Sequence, residues 1–182
     1  MASSLAFIAF LSGAVSGCGT QPPSGDPSEA SSSLPSETSD DKVLADASAA
    51  YSAYVSAADA VFADGGRSPE KLSDVATGTA LELVESDAEQ FREMELHSVG
   101  RTVLSGFKLQ SRNVVGQDVE DATLYVCEDV SGIDILDSSG KSLVSPDRIS
   151  KQTFEVSVER SAGTAILLVN AREPWYGDGA CS

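Results

Sequence analysis

The chain has 182 residues, with 12 basic and 28 acidic side chains and a formal net charge of −16. So acidic a surface repels phosphate backbones, which excludes nucleic acid as a partner, and it disfavours direct adhesion to anionic lipid headgroups. Its plainest role is solubility. After the polar N-terminal stretch is set aside, the length suits one hydrophobic core and is too short for two. Ala, Ser, Gly and Asp abound over Lys and Arg, a bias typical of high-GC bacterial coding.

Leu5 to Val15 (LAFIAFLSGAV) is apolar throughout, without the polar interruptions of an amphipathic helix. A spanning helix needs about 20 such residues. This run is too short, and its length and position fit the apolar region of a signal peptide. Val15-Ser16-Gly17-Cys18, a branched apolar residue and two small ones before a cysteine, resembles the lipobox of bacterial lipoprotein precursors. The resemblance implies cleavage between Gly17 and Cys18, with a diacylglyceryl group on the Cys18 sulfur. Two or three acyl chains, at about 0.8 kcal/mol per buried methylene, make a stable membrane anchor where one chain does not. The segment MASS carries no Lys or Arg, which departs from the pattern and points to a start upstream of Met1. The competing reading of Cys18 is a free cysteine buried after an N-terminal helix.

From Gly19 to Asp41 the chain reads GTQPPSGDPSEASSSLPSETSDD, with four prolines, one leucine and no aromatic residue. This composition cannot bury enough apolar surface to fold, so it predicts a flexible tether with an r.m.s. reach of roughly 25–30 Å. The organisation expected is therefore a signal peptide over 1–17, a lipidated Cys18 with a tether over 18–41, and a folded domain over 42–182.

Within the domain, Leu44, Ala47, Tyr51, Tyr54, Val55, Ala58, Val61 and Phe62 recur at three- and four-residue steps. They predict a helix capped by Ser39 to Asp41 and ending near Gly65-Gly66. Ser68-Pro69-Glu70 starts a short helix with Ser as N-cap, which Gly78 breaks. A third helix is expected over 79–96, with Leu83, Val84, Ala88, Phe91 and Met94 on one side. After His97 the period becomes two. Val103, Phe107 and Leu109 alternate with Lys108, Gln110 and Arg112 in a half-buried strand kinked at Gly106. Strands follow over Ala122 to Cys127, over Phe154 to Val158 and over Ala165 to Asn170. Gly132 to Leu136 and Lys141 to Val144 flank Asp137-Ser-Ser-Gly140 as a hairpin. Helices followed by four to six antiparallel strands make an α+β class, with N-terminal helices packed on a curved antiparallel sheet.

Ala50-Tyr51 through Tyr54, Val126-Cys127-Glu128-Asp129, the Asp137–Lys141 turn and a late aromatic before a terminal Cys resemble the NTF2-like cone. More narrowly, the chain is similar to small actinobacterial lipoproteins built from lipobox, Ser/Pro tether and NTF2-like domain. In that family the last strand often bears its Trp mid-strand, whereas Trp175 follows Pro174 here. The resemblance implies a cone whose ligand pocket Tyr51, Tyr54, Val55, Phe107 and Tyr125 could line. Some such cones isomerise ketosteroids or cyclise polyketides, with Asp134 or Glu128 the nearest candidates here for a base at the rim. That chemistry needs a carboxylate tuned in an apolar pocket, and every acidic pair in this chain reads as a solvated turn or strand end.

With Cys18 lipidated, Cys127 and Cys181 remain, and in an exported protein they most simply form one disulfide. A redox-active pair normally needs a CxxC spacing, which is absent. His97 is the single histidine, and no HExxH, paired-cysteine or calcium-loop spacing occurs, so no metal or other cofactor is expected. Neither a GxSxG elbow nor a phosphate-binding glycine loop is present. The function expected is a non-catalytic binding or scaffold module of the cell envelope, held at the membrane by the acyl chains on Cys18. Its partner is another envelope protein or a small apolar ligand. An enclosed apolar cavity would favour the ligand, and a filled cone would sink it.

Overall fold

The computed structural model describes Ser39–Cys181; the readings placed on residues 1–38, including Gly17, Cys18 and most of the tether, lie outside the described residues. The element order is α1 (Asp40–Ala63), a 3-10 helix (Pro69–Asp74), α2 (Gly78–Glu93), β1 (His97–Val99), β2 (Val103–Val115), β3 (Asp118–Asp129), β4 (Asp134–Leu136), β5 (Lys151–Arg160) and β6 (Leu167–Trp175). β2, β3, β5 and β6 form a four-stranded antiparallel sheet in that order, and β1 pairs with β4 in a separate two-stranded ribbon. Two α-helices packed against antiparallel sheets make the fold α+β. Among the described residues no helix is long and apolar enough to cross a membrane.

α1 starts two residues before the expected boundary, because Ser39 Oγ accepts the Lys42 N–H and Asp40 and Asp41 sit in the first turn, where the helix dipole favours them. Its buried stripe is Val43, Ala47, Tyr51, Tyr54, Val55, Ala58 and Val61. Val43 thus takes the core position expected of Leu44, which is half-buried. The second helical segment is a 3-10 helix, and Ser68 precedes it in the left-handed region at φ 59° with no side-chain capping bond. Pro69 sets the turn without help from a serine cap.

Gly78 begins α2 where the sequence suggested a break. It sits at φ +52°, and a Cβ there would come within 2.8 Å of the Asn170 side chain. A glycine is thus required where α2 docks on β6. α2 buries Ala80, Val84 and Ala88, one residue per turn. Leu83 and Met94, expected on the same buried side, are 59% and 61% exposed.

Gly106 does kink β2: the register with β3 shifts between Ser105 and Lys108. An inserted residue moves the inward set from even to odd numbers. Leu104 is therefore half-buried and Val103 exposed before the bulge, while Phe107 and Leu109 face inward after it. Inward residues of β3 (Ala122, Leu124, Val126) and β5 (Val156, Val158) meet Val169 of β6 and the two helices in one core. β6 runs through Pro174 to Trp175, farther than the apolar run Ala165–Asn170 suggested. It is an edge strand, and an edge tolerates a residue that cannot donate. The expected hairpin around Asp137–Gly140 is short: Asp137 N–H donates to the Lys141 carbonyl (3.0 Å) and Leu143 N–H to that of Ile135 (2.8 Å) about a bridge between Leu136 and Ser142, while the other edge of β4 pairs with β1.

Candidate functional site

Cys127 and Cys181 are joined, with a Cα–Cα distance of 4.7 Å. The bond fastens the C-terminal tail to the sheet face away from the helices. There Thr153 Oγ1 accepts both the Ala180 and Cys181 N–H groups (3.0 and 3.2 Å), and Lys108 Nζ donates to the Gly179 carbonyl (2.9 Å). Tyr125, between inward-facing Leu124 and Val126, lies on that same outer face with its ring 4.9 Å from that of Trp175. It is therefore separated from any space under the helices, contrary to the pocket expected of it.

On the inner face, the strand position next to Cys127 places Glu128 in the core, only 5% exposed. For Glu128 this overturns the expectation of a solvated strand end, while Asp118, Glu120, Asp121, Asp129, Asp134 and Asp137 are exposed or half-buried. Tyr51 of α1 donates its hydroxyl to Glu128 Oε1. Arg172 of β6 donates through Nε to Glu128 Oε1 (2.8 Å) and to the Tyr51 oxygen (3.0 Å), and through Nη2 to Glu128 Oε2 (2.6 Å). The guanidinium also lies over the Phe154 ring, 3.6 Å from its centroid. Burial pushes the Tyr51 hydroxyl well above its ordinary range, so it stays protonated and donates. Burial works against the Arg172 charge, but the hydrogen bonds it donates to Glu128 and the negative charge of that carboxylate outweigh it and raise its proton affinity. Arg172 went unnoticed in the sequence, where it sits in the polar stretch Asn170–Glu173.

Glu128 and Arg172 of this triad reach a cleft of about 320 Å³ lined also by Tyr54, Val55, Phe62, Leu83, Val84 and Ile133, together with Asp59, Asp87 and Thr102. A second space of about 380 Å³ shares Asp59, Phe62, Asp87 and Ile133 with it and continues over Phe91, Met94, Leu96 and Ile135. The two form one groove between α1, α2 and the β1–β4 ribbon. Phe62 and Phe91 meet in it with ring centroids 4.7 Å apart. Of the five residues expected to line a pocket, Tyr54 and Val55 do so. Tyr51 lies beneath the floor, fully buried, and Phe107 packs half-buried against the core without reaching the groove.

Asp59 is oriented by Thr102, whose N–H and hydroxyl donate to its two oxygens at 3.0 Å each. Asp87 makes no hydrogen bond or salt bridge among the described residues, and partial burial raises its carboxyl above the ordinary range while Arg172 lowers it. Asp134 lies outside the groove, its Oδ1 taken by Ser142 and its own β4 backbone. His97 opens β1, half-buried, and among the described residues no group of three or more His, Cys, Asp or Glu is placed to hold a metal ion. Both oxygens of Glu128 are engaged by Arg172, and one by Tyr51 as well. The carboxylate is thereby tied to the charge of Arg172.

No family model matches the chain and no curated protein matches it. Among solved structures it is similar to the intermembrane-space region of the chloroplast protein ARC6, with a TM-score of 0.50 and 15% sequence identity, over 72% of this chain and 95% of that one. At that identity the likeness is one of α+β fold alone.

Proposed function

We propose that the chain is a lipid-anchored, extracytoplasmic binding domain of NTF2-like design that docks an apolar element of another envelope protein. The NTF2-like reading is supported by helices lying on one face of a sheet of long antiparallel strands, with a groove between them. The anchor rests on the apolar run and the Val15–Cys18 lipobox, and the Cys127–Cys181 bond suits an exported protein. The observation that carries the docking function is the groove itself, which gathers Val55, Phe62, Phe91 and Ile133 between its charged residues and is lined also by Leu83 and Met94, both more than half exposed. Large apolar side chains gathered on one surface depression mark an interaction site. An enclosed ligand chamber is disfavoured because Tyr51, Leu124, Val126 and Val156, fully buried, occupy the space between the helices and the sheet.

The test places a photo-crosslinking amino acid at Leu83 or Met94, with Ser73 and Gln110 as exposed polar controls, in cells expressing the full chain. A discrete protein adduct from the two groove positions and none from the controls is expected. Equal labelling from all four positions refutes the docking site. A mass increment of a small molecule at Leu83 or Met94 assigns the groove to a ligand instead. In fractionated cells, Cys18→Ala moves the protein out of the membrane pellet, and retention there refutes the anchor.

A further inference from the structure

This inference rests on the docking groove and concerns what fills it. Four charged side chains face the groove: Asp59 from α1, Asp87 from α2, Glu128 from β3 and Arg172 from β6. Arg172 and Glu128 neutralise each other through two oxygens. Asp59 receives only neutral donors from Thr102, which fix its direction and leave its charge. Asp87 receives none among the described residues. Two carboxylates thus stand in the groove without a salt bridge, Asp87 under the more distant charge of Arg172, beside the tilted Phe62–Phe91 pair, whose ring faces attract cations.

Another cleft, of about 490 Å³ beside the N-terminal half of α1, comes nearer to charge balance. Its Asp46 and Asp118 are paired with Lys42 and Arg160, and Asp74 alone lies in it without a salt bridge among the described residues. The groove between α1 and α2 thus holds two carboxylates without a salt bridge, and this cleft holds one.

We propose that the element docking in this groove is a basic amphipathic helix of another protein, its apolar stripe over Phe62, Phe91 and Ile133 and one Lys or Arg against Asp87 and Asp59. The apolar contacts supply area, and the carboxylates select the sign of the charge and the register of the helix. The net charge of −16 speeds encounter with such a partner.

The experiment uses three synthetic helical peptides with one leucine stripe and polar faces of Lys, Gln or Glu. Binding to the full chain in nanodiscs of zwitterionic phosphatidylcholine is read by fluorescence anisotropy against empty nanodiscs. The Lys peptide is expected to bind best and the Glu peptide worst. Asp87→Asn weakens the Lys peptide about tenfold and leaves the Gln peptide unchanged. Asp74→Asn, which removes the same charge from the other cleft, changes neither. Equal affinity for the Lys and Gln peptides, unaltered by Asp87→Asn, overturns the cationic occupant while the groove reading stands. Absence of binding by all three peptides, or binding no greater than to empty nanodiscs, overturns both. A chain that self-associates through the groove, doubling its mass in light scattering until Leu83→Glu is introduced, assigns the surface to a second copy and likewise overturns the proposal.

Discussion

Replacing Glu128 by Gln keeps the shape of the side chain and removes the charge that balances Arg172. Glu128 is 5% exposed, so its carboxylate is held by protein donors alone, and three of them converge on it. Breaking a fully buried ion pair from one side costs about 3–5 kcal/mol, because the partner charge is left uncompensated. The Arg172 side chain is 31% exposed and can borrow water from the cleft, so the cost here is about 2–4 kcal/mol. Against a total stability of about 5–15 kcal/mol this is a large fraction, and it lowers Tm by roughly 6–15 °C. Urea unfolding with intrinsic fluorescence, at unchanged m-value, measures it. Adding Arg172→Met to Glu128→Gln recovers part of the loss and gives a coupling energy of about 1–3 kcal/mol in a double-mutant cycle. A loss under about 1 kcal/mol, or strict additivity of the two changes, refutes the view that the pair is held as a buried unit.

The same unfolding assay tests three further expectations. Reducing the Cys127–Cys181 bond, which closes a sequence separation of 54, costs about 4 kcal/mol on the chain-entropy account, and thiol labelling of the native protein finds neither cysteine. Gly66→Ala puts a Cβ 1.9 Å from the Ala88 carbonyl oxygen at φ +72° and costs about 2–4 kcal/mol, whereas Gly163→Ala, at φ +75° in open space, costs about 1 kcal/mol. Asp129 is held at about 2, below its ordinary 3.8, by hydrogen bonds from Ser131 and by Lys151. A depressed carboxyl contributes stability above pH 3.8 that is lost as pH falls toward 2, so Asp129→Asn flattens the stability profile in that window. An unchanged acid limb refutes the assignment.

The helices were legible because three- and four-residue steps survive any tertiary context. α1 came out almost whole, with Tyr51, Tyr54 and Val55 inward, and the small residues Ala47, Ala58, Ala80 and Ala88 show where helix and sheet come close. The disulfide was legible from two leftover cysteines. The triad was not, because Glu128 and Arg172 lie 44 residues apart and each resembles its solvated neighbours. Only the inward parity of β3 marks them: Leu124 and Val126 put Glu128 on the same face, and the pairing of Val156 with Arg172 puts the arginine there too. That parity was available for Glu128, but the Arg172 register depends on a bulge between Ser157 and Val158 that no local signal announces. The groove escaped notice because Leu83 and Met94 share the period of core residues, and burial is not a property of periodicity.

Cys127 and Glu128 are consecutive on β3, one facing the tail and the other facing α1. In mechanical terms they make β3 a common rivet. A pull that enters through the start of α1 reaches Tyr51, passes through Glu128 into a central strand of the sheet, and is shared there with the C-terminal tail through the neighbouring sulfur. Neither end of the folded unit can then be peeled away by zipping along an edge strand. Load is borne in shear across β3, so a domain held by its N-terminal side keeps its groove intact under tension.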